Sequence, residues 1–347
     1  MLTTCPLRPR SPELSPTLLS VVVPMYNEEA VLHQLVARLR PVLDGMDVPY
    51  EVVAVDDGSS DSTAGMVQQI RTEWPQLRLL RLMRNSGHQA AITAGMTAAV
   101  GDYVVTIDAD LQDPPETIAE MLKTAQAENV DVVYGVRSDR STDSVFKRQT
   151  AALYYWLMRR VAGPHVPSNA GDFRLMSRRV LDAVNRLPEE GRVYRLIIPW
   201  FGFPSANVYY ERDKRAAGES KYPLGKMILL TTESIVTFSG GPLRFATWLG
   251  VLSAIACVFV GVFVVVGVIT GQTVPGWAST VLVVGGIGAI QLFCLGILGE
   301  YIGRIFTGTL RRPLYLVGYD SLTHGDNAPG AGQNTAPGQT AGNRDNQ

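Results

Sequence analysis

The sequence predicts an α/β domain with a mostly parallel β-sheet, followed by a C-terminal hairpin of two transmembrane helices. Three observations support this prediction. Apolar strand-like runs alternate with helix-like segments, acidic residues follow two of these runs, and no charged residue occurs from Phe245 to Gly299. Alternating strands and helices favour a parallel sheet with helices on both faces, whereas a long uncharged stretch favours membrane helices.

Five short apolar runs predict the strands of the sheet. In chain order they are LLSVVV, YEVVAV, LRLLRLM, DYVVTI and VDVVYGVR. A helix is predicted after each of the first four: one starting near residues 27–29, then AGMVQQIRTEW, HQAAITAGMTAAV and PPETIAEMLKTAQ. Asp61 or Ser62 is placed to cap the second helix, because Asp and Ser side chains accept hydrogen bonds from the first helical N–H groups.

Acidic side chains follow two of these strands. Asp56 and Asp57 end the second strand, and Asp108 and Asp110 end the fourth. Bunched carboxylates repel one another, so a core strand gains nothing by ending in them unless a cation lies among them. Because ligands of parallel sheets bind beyond the carboxyl ends of the strands, these four residues locate a predicted site.

Composition excludes some classes of function. Lys and Arg total 31 against 32 Asp and Glu, for a formal net charge of -1, so a nucleic-acid or general polyanion binder is not expected. The cysteines, Cys5, Cys257 and Cys294, are scattered, which offers neither a metal site nor a disulfide framework and fits a reducing compartment.

Two apolar stretches in the last third are each long enough to cross a bilayer, which takes about 20 residues. Arg244 precedes the first stretch, and Arg304, Arg311 and Arg312 follow the second. The positive-inside rule then places both ends, and the α/β domain with them, on the cytoplasmic side of the inner (plasma) membrane. The alternative is a pair of buried core helices, which the length of the runs and their lack of a polar face disfavour.

The predicted segment boundaries follow these shifts in composition. The tail is rich in Gly, Pro, Asn and Gln, a composition typical of disorder. The segments are a flexible lead over 1–17, the α/β domain over 18–220, an interfacial amphipathic segment over 221–244, transmembrane helices over 245–270 and 276–303, a cytoplasmic segment over 304–320, and a disordered tail over 321–347.

The sequence DADLQD at the end of the fourth strand predicts a metal site. Asp108 and Asp110 lie two positions apart, so on a strand they share a face and can approach one cation. Oxygen ligands suit Mg²⁺ or Mn²⁺, and such ions keep positions open for substrate phosphates. The alternative is a solvated loop or a helix cap, because a D-x-D pattern on its own often occurs by chance.

Further motifs occur along the α/β domain in the order VVVPMYNEE, VDDGSSD, RNSGHQAAITAG, DADLQDPPE and GDFRLMSR. Together they resemble the inverting glycosyltransferases of family 2, which have the nucleotide-sugar-binding fold called GT-A. The later segments RAAGESKY and GILGEYIGRIF resemble the membrane-anchored polyprenyl-phosphate glycosyltransferases, which include dolichyl-phosphate mannose synthases and bacterial undecaprenyl-phosphate sugar transferases. The resemblance covers about residues 18–320, and an ordered set of motifs is more specific than any one of them.

The resemblance implies a nucleotide-sugar site at the strand ends, with a divalent ion that neutralises the leaving diphosphate. Taken alone, Tyr26 and Glu28 would also fit the first turn of a helix, where the helix dipole favours an acidic side chain. The residues that the resemblance assigns to the nucleotide sugar are Pro24, Tyr26, Glu28, Val55, Asp57, Asp108, Ala109, Asp110, Gln112 and Arg137.

Asp172, in SNAGDFRLMSR, matches the position that the resemblance implies is catalytic. A lipid monophosphate has a second pKa near about 6, by analogy with phosphorylated side chains, and so needs little help in losing a proton. We therefore expect Asp172 chiefly to orient the acceptor or the donor sugar, with the role of general base as one alternative and a helix N-cap as the other. His88 lies in the predicted substrate loop and is given no role.

Arg215 and Lys221 match the R-x-x-G-E-S-K pattern of the resembled group and are expected to bind the lipid phosphate. The alternative for this segment is a solvated basic loop.

The implied reaction is transfer of a sugar from a nucleotide-diphosphate sugar onto undecaprenyl phosphate or a similar lipid. The first candidate for the donor is UDP-glucose, and the second is GDP-mannose. A processive polysaccharide synthase and a non-catalytic nucleotide-sugar-binding scaffold are the other candidates, and the resemblance implies a homo-oligomer, often a tetramer.

Overall fold

A β-sheet forms the centre of the α/β domain. The computed structural model describes residues 17–138, 170–187, 192–211, 241–271 and 276–323. Its strands are β1 (Leu19–Met25), β2 (Tyr50–Asp56), β3 (Leu77–Leu82), β4 (Tyr103–Thr106), β5 (Val132–Arg137), β6 (Ala170–Ser177), β7 (Ser205–Tyr210) and β8 (Val317–Asp320). They form one eight-stranded sheet in the order β7-β5-β6-β4-β1-β2-β3-β8.

Most neighbouring strands run parallel. β1 is parallel to β2 and β4, β2 to β3, and β5 to β7, whereas β6 is antiparallel to β4 and β5, and β8 to β3. The predicted mostly parallel α/β fold is therefore confirmed, with two antiparallel strands that the alternation of strands and helices did not reveal. Because β6 runs against its neighbours, its first residues lie at the edge where β4 and β5 end.

Helices cover both faces of the sheet. They are α1 (Leu32–Asp44), α2 (Thr63–Arg71), α3 (His88–Ala98), α4 (Thr117–Ala127), α5 (Arg178–Asn185), α6 (Tyr194–Trp200), α7 (Gly241–Ile269) and α8 (Trp277–Thr309). Side chains alternate along β1, so Val21 and Val23 pack in one core and Val22 in the other. Apolar residues of α1, α2 and α4 complete the first core, and those of α3, α5 and α6 complete the second.

The first helix begins at Leu32, later than predicted. Asn27 has a φ of 55°, in the left-handed region, and its N–H donates to Ser59 Oγ at 2.9 Å. The N–H of Glu28 donates to Thr63 Oγ1, also at 2.9 Å. These bonds hold the loop after β1 against the loop after β2, and they compete with helix formation.

The helices α7 and α8 contain two candidate membrane spans, Phe245–Gly267 and Val283–Thr309, with mean hydropathies of 2.9 and 1.7. None of the most apolar part of either span is buried inside the protein. This exposure disfavours the alternative of buried core helices, because a soluble protein rarely exposes so large an apolar surface. Cys294 Sγ lies 3.6 Å from the carbonyl oxygen of Ala246, so α8 folds back beside the start of α7.

Several predicted segments lie outside the described residues. These are residues 1–16 of the N-terminal lead, residues 221–240 of the interfacial segment and residues 324–347 of the tail. The helices α7 and α8 cover the stretches predicted as transmembrane, and α8 extends further, to Thr309. The segment boundaries themselves stay predictions.

Candidate active site

The described residues of the predicted site lie along one edge of the sheet. The strands β1, β2, β4 and β5 all end there, and the antiparallel β6 begins there, as its pairing of Ala170 with Val136 and of Arg174 with Thr106 shows. Backbone geometry therefore brings the residues after β2 and β4 close to the start of β6. This arrangement places Asp172 beside the acidic residues that follow β4, although it is far from them in the sequence.

The two acids after β2 are used within the protein. Asp56 is fully buried, accepts a hydrogen bond from the N–H of Ser59 at 3.0 Å and lies 3.1 Å from Arg81 Nε. Asp57 accepts hydrogen bonds on both carboxylate oxygens, from the N–H of Ser86 at 2.7 Å and of Gly87 at 2.8 Å. These carboxylates fix the loops around the site.

Glycine is required at two positions of these loops. Gly58 has a φ of 68°, and a Cβ there would lie 2.6 Å from the backbone carbon of Arg84. Gly87 has a φ of 96° and immediately precedes α3. The combination of Asp57 and Gly87 sets the direction in which His88, the first residue of α3, enters the site.

The remaining residues predicted for the nucleotide lie on β1, β2 and the following loop. Tyr26 is 44% exposed and Glu28 is half-buried, so both side chains can reach a ligand. Pro24 is buried and pairs with Val55 across the strands. The side chain of Val55 is fully buried in the core beneath α3, so it supports the wall of the site rather than reaching into it.

Asp108 lies among several carboxylates at this edge. Its side chain is 37% exposed, and its nearest partner is His88 Nε2, at 3.6 Å from Oδ1. Partial burial raises the pKa of Asp108 to about 6; repulsion by Asp172, Asp113 and Asp110 adds to the rise, and the attraction of His88 opposes it. A cation at Asp108 would relieve this repulsion.

A tight turn presents the rest of the DADLQD motif. Leu111 has a φ of 59°, which is costly for a residue with a Cβ, and its side chain is buried. Asp110 Oδ1 accepts a hydrogen bond from the N–H of Gln112 at 3.1 Å, and both side chains are partly exposed. Ala109 is buried in the first core and anchors the turn.

A hard divalent cation fits Asp108 and Asp110. Both are partly exposed oxygen donors, and Asp110, Asp113 and Asp172 add negative charge around Asp108. Across the described residues, no group of three or more His, Cys, Asp or Glu side chains could hold a metal ion. An ion there would therefore take its other ligands from substrate oxygens and water.

Asp172 lies on β6, two residues before Arg174 on the same strand, so it is not a helix N-cap. Arg174 Nη2 donates to Asp172 Oδ1 at 2.8 Å, and Gln89 Nε2 donates to Oδ2 at 3.2 Å. His88 Nε2 and Arg195 Nη2 lie 3.6 Å and 3.8 Å from Oδ2. Burial alone would raise the pKa of Asp172, but His88, Arg174 and Arg195 outweigh it and hold the pKa well below its usual range.

Arg137 ends β5 beside this cluster. Its Nε donates to Tyr210 Oη at 3.3 Å, and its Nη2 lies 3.6 Å from Asp113 Oδ1. Tyr210 in turn donates to Asp113 Oδ1 at 2.5 Å, and Asp113 is only 2% exposed. A Cβ on Gly171 would lie 3.4 Å from Arg137 Nη2, so the guanidinium extends over the residue next to Asp172.

The structure thus brings Asp108, Asp172 and Arg137 together, and the loops that carry Tyr26 and Glu28 lie along the same edge. Arg215 and Lys221 lie outside the described residues. The sequence analysis missed four residues around Asp172. Arg174 could have been found from its i+2 position on a strand, and His88 from its place in the predicted substrate loop. The contacts of His88, Gln89 and Arg195 with Asp172 depend on the tertiary fold and cannot be read from the sequence.

Comparisons with known proteins agree with these features. A family model described as glycosyl transferase family 2 matches residues 20–184. The uncharacterized glycosyltransferase YkcC of Bacillus subtilis (strain 168) is 42% identical over 299 residues, covering 86% of this chain and 92% of that one. The bactoprenol glucosyl transferase of Shigella phage SfX is 37% identical over 300 residues, covering 86% and 98%. The crystal structure of S. aureus TarS 1-349 in complex with UDP-GlcNAc aligns at 19% identity over 63% of this chain and 65% of that one, with a TM-score of 0.43.

Proposed function

The chain belongs to glycosyl transferase family 2 and is a glycosyltransferase, and from this premise we propose that it moves a sugar from a nucleotide-diphosphate sugar onto the phosphate of a polyprenyl phosphate lipid. The donor is a UDP-sugar, with UDP-glucose first and GDP-mannose as the alternative. One relative is named a bactoprenol glucosyl transferase, and bactoprenol is a polyprenol. That name supports both the glucose and the lipid acceptor.

The observation that carries the proposal is the pairing of two carboxylates of opposite character at one edge. Asp108 has a pKa raised to about 6, and Asp172 has a pKa held well below the usual range. His88 Nε2 lies 3.6 Å from each of them, so they face the same small space. A site that holds a cation on one side and a fixed negative charge on the other suits a substrate with a diphosphate at one end and hydroxyl groups at the other.

The donor would bind with its diphosphate near Asp108 and Asp110. These two residues would hold Mg²⁺ or Mn²⁺, which when bound neutralises the charge on the leaving diphosphate. Arg137, fixed by Tyr210 and Asp113, would add positive charge near the same group. Tyr26 is exposed and Glu28 is half-buried on the loop after β1, and both would line the nucleotide pocket.

Asp172 would orient the sugar rather than remove a proton. Its low pKa makes it a weak base, because proton abstraction is most efficient when the base has a pKa near the working pH. The phosphate acceptor is already largely dianionic at neutral pH. Its oxygen would attack the anomeric carbon from the face opposite the diphosphate, so the configuration inverts as the nucleoside diphosphate leaves.

The acceptor would be bound at the membrane surface. Arg215 and Lys221 are proposed to pair with the lipid phosphate, and residues 221–244 to lie along the membrane. The helices α7 and α8 would cross the inner membrane with the α/β domain on the cytoplasmic side. Assembly as a homotetramer, expected from the family resemblance, can be measured by light scattering of the purified protein.

The test uses the full chain purified in detergent with Mg²⁺ or Mn²⁺. UDP-glucose and GDP-mannose are each supplied with and without undecaprenyl phosphate, and nucleoside diphosphate release and labelled lipid are measured. We expect UDP release and a monoglucosylated lipid that both depend on the acceptor.

Three other outcomes would contradict the proposal in different ways. Preference for GDP-mannose would identify GDP-mannose as the donor and leave the proposed type of reaction unchanged. Polymer product would indicate a processive synthase, and binding of either nucleotide sugar without any release would indicate a scaffold.

A further inference from the structure

The chain returns to the α/β domain after α8 and adds the edge strand β8. The backbone of β8 pairs antiparallel with β3. Arg78 on β3 makes a two-point ion pair with Asp320, from Nε to Oδ1 at 3.0 Å and from Nη2 to Oδ2 at 2.6 Å. Ser321 exchanges two hydrogen bonds with the backbone of Leu79, each 3.0 Å long.

These contacts are largely removed from solvent. The side chains of Arg78 and Asp320 are each 12% exposed, so the pair is screened less than a surface salt bridge. Tyr319 is 3% exposed and belongs to the first core, and Tyr315 packs against the second core. The segment after α8 is therefore attached to both faces of the sheet.

The connection between this attachment and the membrane is short. Thr309 ends α8 and Val317 begins β8. At roughly 3.5 Å per residue, the chain between them spans at most about 28 Å. The other connection, residues 211–240 between β7 and α7, could span at most about 110 Å by the same measure, or about 38 Å if the chain meets the membrane at residue 221 as proposed above. The shorter connection therefore sets how far the sheet can lie from the end of α8.

The short connection also contacts the loop that leads into the site. The N–H of Met83, one residue after β3, donates to the carbonyl oxygen of Leu316 at 2.9 Å. From Met83 the loop runs to Gly87, whose N–H is held by Asp57, and then to His88 beside Asp108. This loop links the membrane connection to the candidate metal ligands.

We propose that β8 is a positioning strand, which holds the active-site edge of the sheet at a fixed reach from the membrane exit of α8 so that a lipid-bound phosphate meets the donor. Arg78, Asp320 and Ser321 are the positioning residues, and none of them touches substrate. The inference rests on the proposed function, because it matters only for an acceptor that cannot leave the membrane. A loosened connection lowers the effective concentration of that acceptor without altering the chemistry.

The test lengthens the connection without touching β8. Twelve Gly/Ser residues inserted between Arg312 and Pro313, both exposed, add about 19 Å of root-mean-square reach. The matched control carries the same insert after Ala328 in the tail. The full-length proteins are reconstituted in nanodiscs and assayed with UDP-glucose and two acceptors, undecaprenyl phosphate in the bilayer and the water-soluble short-chain citronellyl phosphate.

We expect the Arg312–Pro313 insertion to lower kcat/KM for undecaprenyl phosphate about tenfold and to change that for citronellyl phosphate less than twofold. The tail insertion should change neither. Asp320→Asn weakens the pair with Arg78 instead of lengthening the chain. This variant should also lower kcat/KM for undecaprenyl phosphate and leave that for citronellyl phosphate nearly unchanged. Thermal unfolding identifies a variant that has lost its fold.

Equal rates with the lipid for wild type and insertion would overturn the inference. So would a parallel loss with both acceptors, which would show that the segment supports the folded domain rather than its position. A wild-type protein that glucosylates neither acceptor would instead overturn the proposed function, so the two failures are distinguishable.

Discussion

Asp57 and Asp108 occupy matching places at the ends of two parallel strands, yet their surroundings differ. Both oxygens of Asp57 accept backbone hydrogen bonds from the loop at Ser86 and Gly87. The nearest ion-pair partner of Asp108 among the described residues is His88, at 3.6 Å, and the pKa of Asp108 is raised to about 6 by partial burial and neighbouring carboxylates. Backbone hydrogen bonds of the fold hold the Asp57 carboxylate, whereas we propose that the Asp108 carboxylate binds a ligand.

The comparison shows that an acid at a strand end has no fixed role. The role depends on whether backbone N–H groups reach the carboxylate before a ligand can. At Asp57, the left-handed Gly87 turns the loop back onto the strand end. At Asp108, the turn through Leu111 carries the chain away, so the carboxylate stays open to solvent and to ions.

The largest expected effect is at the open carboxylate. Asp108→Asn removes a charged ligand of the proposed cation, and we expect kcat/KM to fall by about 10³-fold, since a metal ion contributes several kcal/mol of charge stabilisation. The melting temperature should be unchanged or slightly higher, because the substitution removes repulsion from Asp110, Asp113 and Asp172. Activity assays and thermal unfolding of the same preparation measure both. A variant with activity within tenfold of wild type would contradict a metal-bound diphosphate here. So would a wild-type protein that stays active after complete chelation.

The next effect concerns Asp172 and distinguishes orientation from base catalysis. Asp172→Asn weakens a buried pair with Arg174. Because a small misplacement of a substrate group can cost about 100-fold in rate, we expect kcat to fall about 100-fold. Raising the pH from 6 to 8 deprotonates the acceptor phosphate, which would make a base unnecessary. We expect no recovery over this range. Recovery to near wild-type rate would identify Asp172 as the general base.

At Asp57, whose carboxylate is held by backbone hydrogen bonds, we expect a loss of stability with a smaller loss of activity. Asp57→Asn leaves one partly buried N–H of the loop, from Ser86 or Gly87, without an acceptor, which costs about 1 kcal/mol of unfolding free energy. The loop that carries His88 should shift, and KM for the donor should rise about tenfold. Asp102→Asn is a matched control, because Asp102 Oδ2 also accepts a backbone N–H, from exposed Leu18 at 3.0 Å, away from the site. If both variants lose activity equally, Asp57 does not act through the loop.

The smallest expected effect is on cation affinity. Because the pKa of Asp108 is about 6, the carboxyl is mostly protonated at pH 5 and mostly ionised at pH 7. A proton must leave before a cation binds, so the Kd for Mn²⁺ should be about tenfold weaker at pH 5 than at pH 7. Electron paramagnetic resonance titration of Mn²⁺ without nucleotide measures it. Tighter binding at the lower pH would contradict the assignment of Asp108 as a ligand.

Most of the fold followed from local patterns. The five predicted strands and the helices between them depend on hydrophobic periodicity, which is visible along the sequence. β6, β7 and β8 were not predicted. Of these, β6 and β8 are antiparallel strands of a mixed sheet, which are defined by their partners, and β7 pairs parallel with β5 at the edge of the sheet. The start of α1 was misplaced because hydrogen bonds from Asn27 and Glu28 to side chains of the next loop cannot be read locally.

The site was predictable where its residues follow strands and hidden where the fold assembles it. Asp108 and Asp110 come just after β4, so their place at this edge of the sheet could be predicted from the sequence, whereas their role as ligands stays a prediction. The partners of Asp172 come from three separate elements, α3, β6 and α6, and only Arg174 is close to it in sequence. The assignment of His88 as a plain loop residue did not anticipate its contacts with Asp108 and Asp172.

The position of β8 in the chain affects how the protein is made. Because β8 follows α8 in the sequence, a ribosome releases it only after both apolar helices have been synthesised. Until then β3 is an edge strand with unpaired N–H and C=O groups, a form prone to joining other chains. The sheet of the nascent domain therefore stays incomplete while its two apolar helices are synthesised, and only a chain translated past Asp320 can pair that edge with β8.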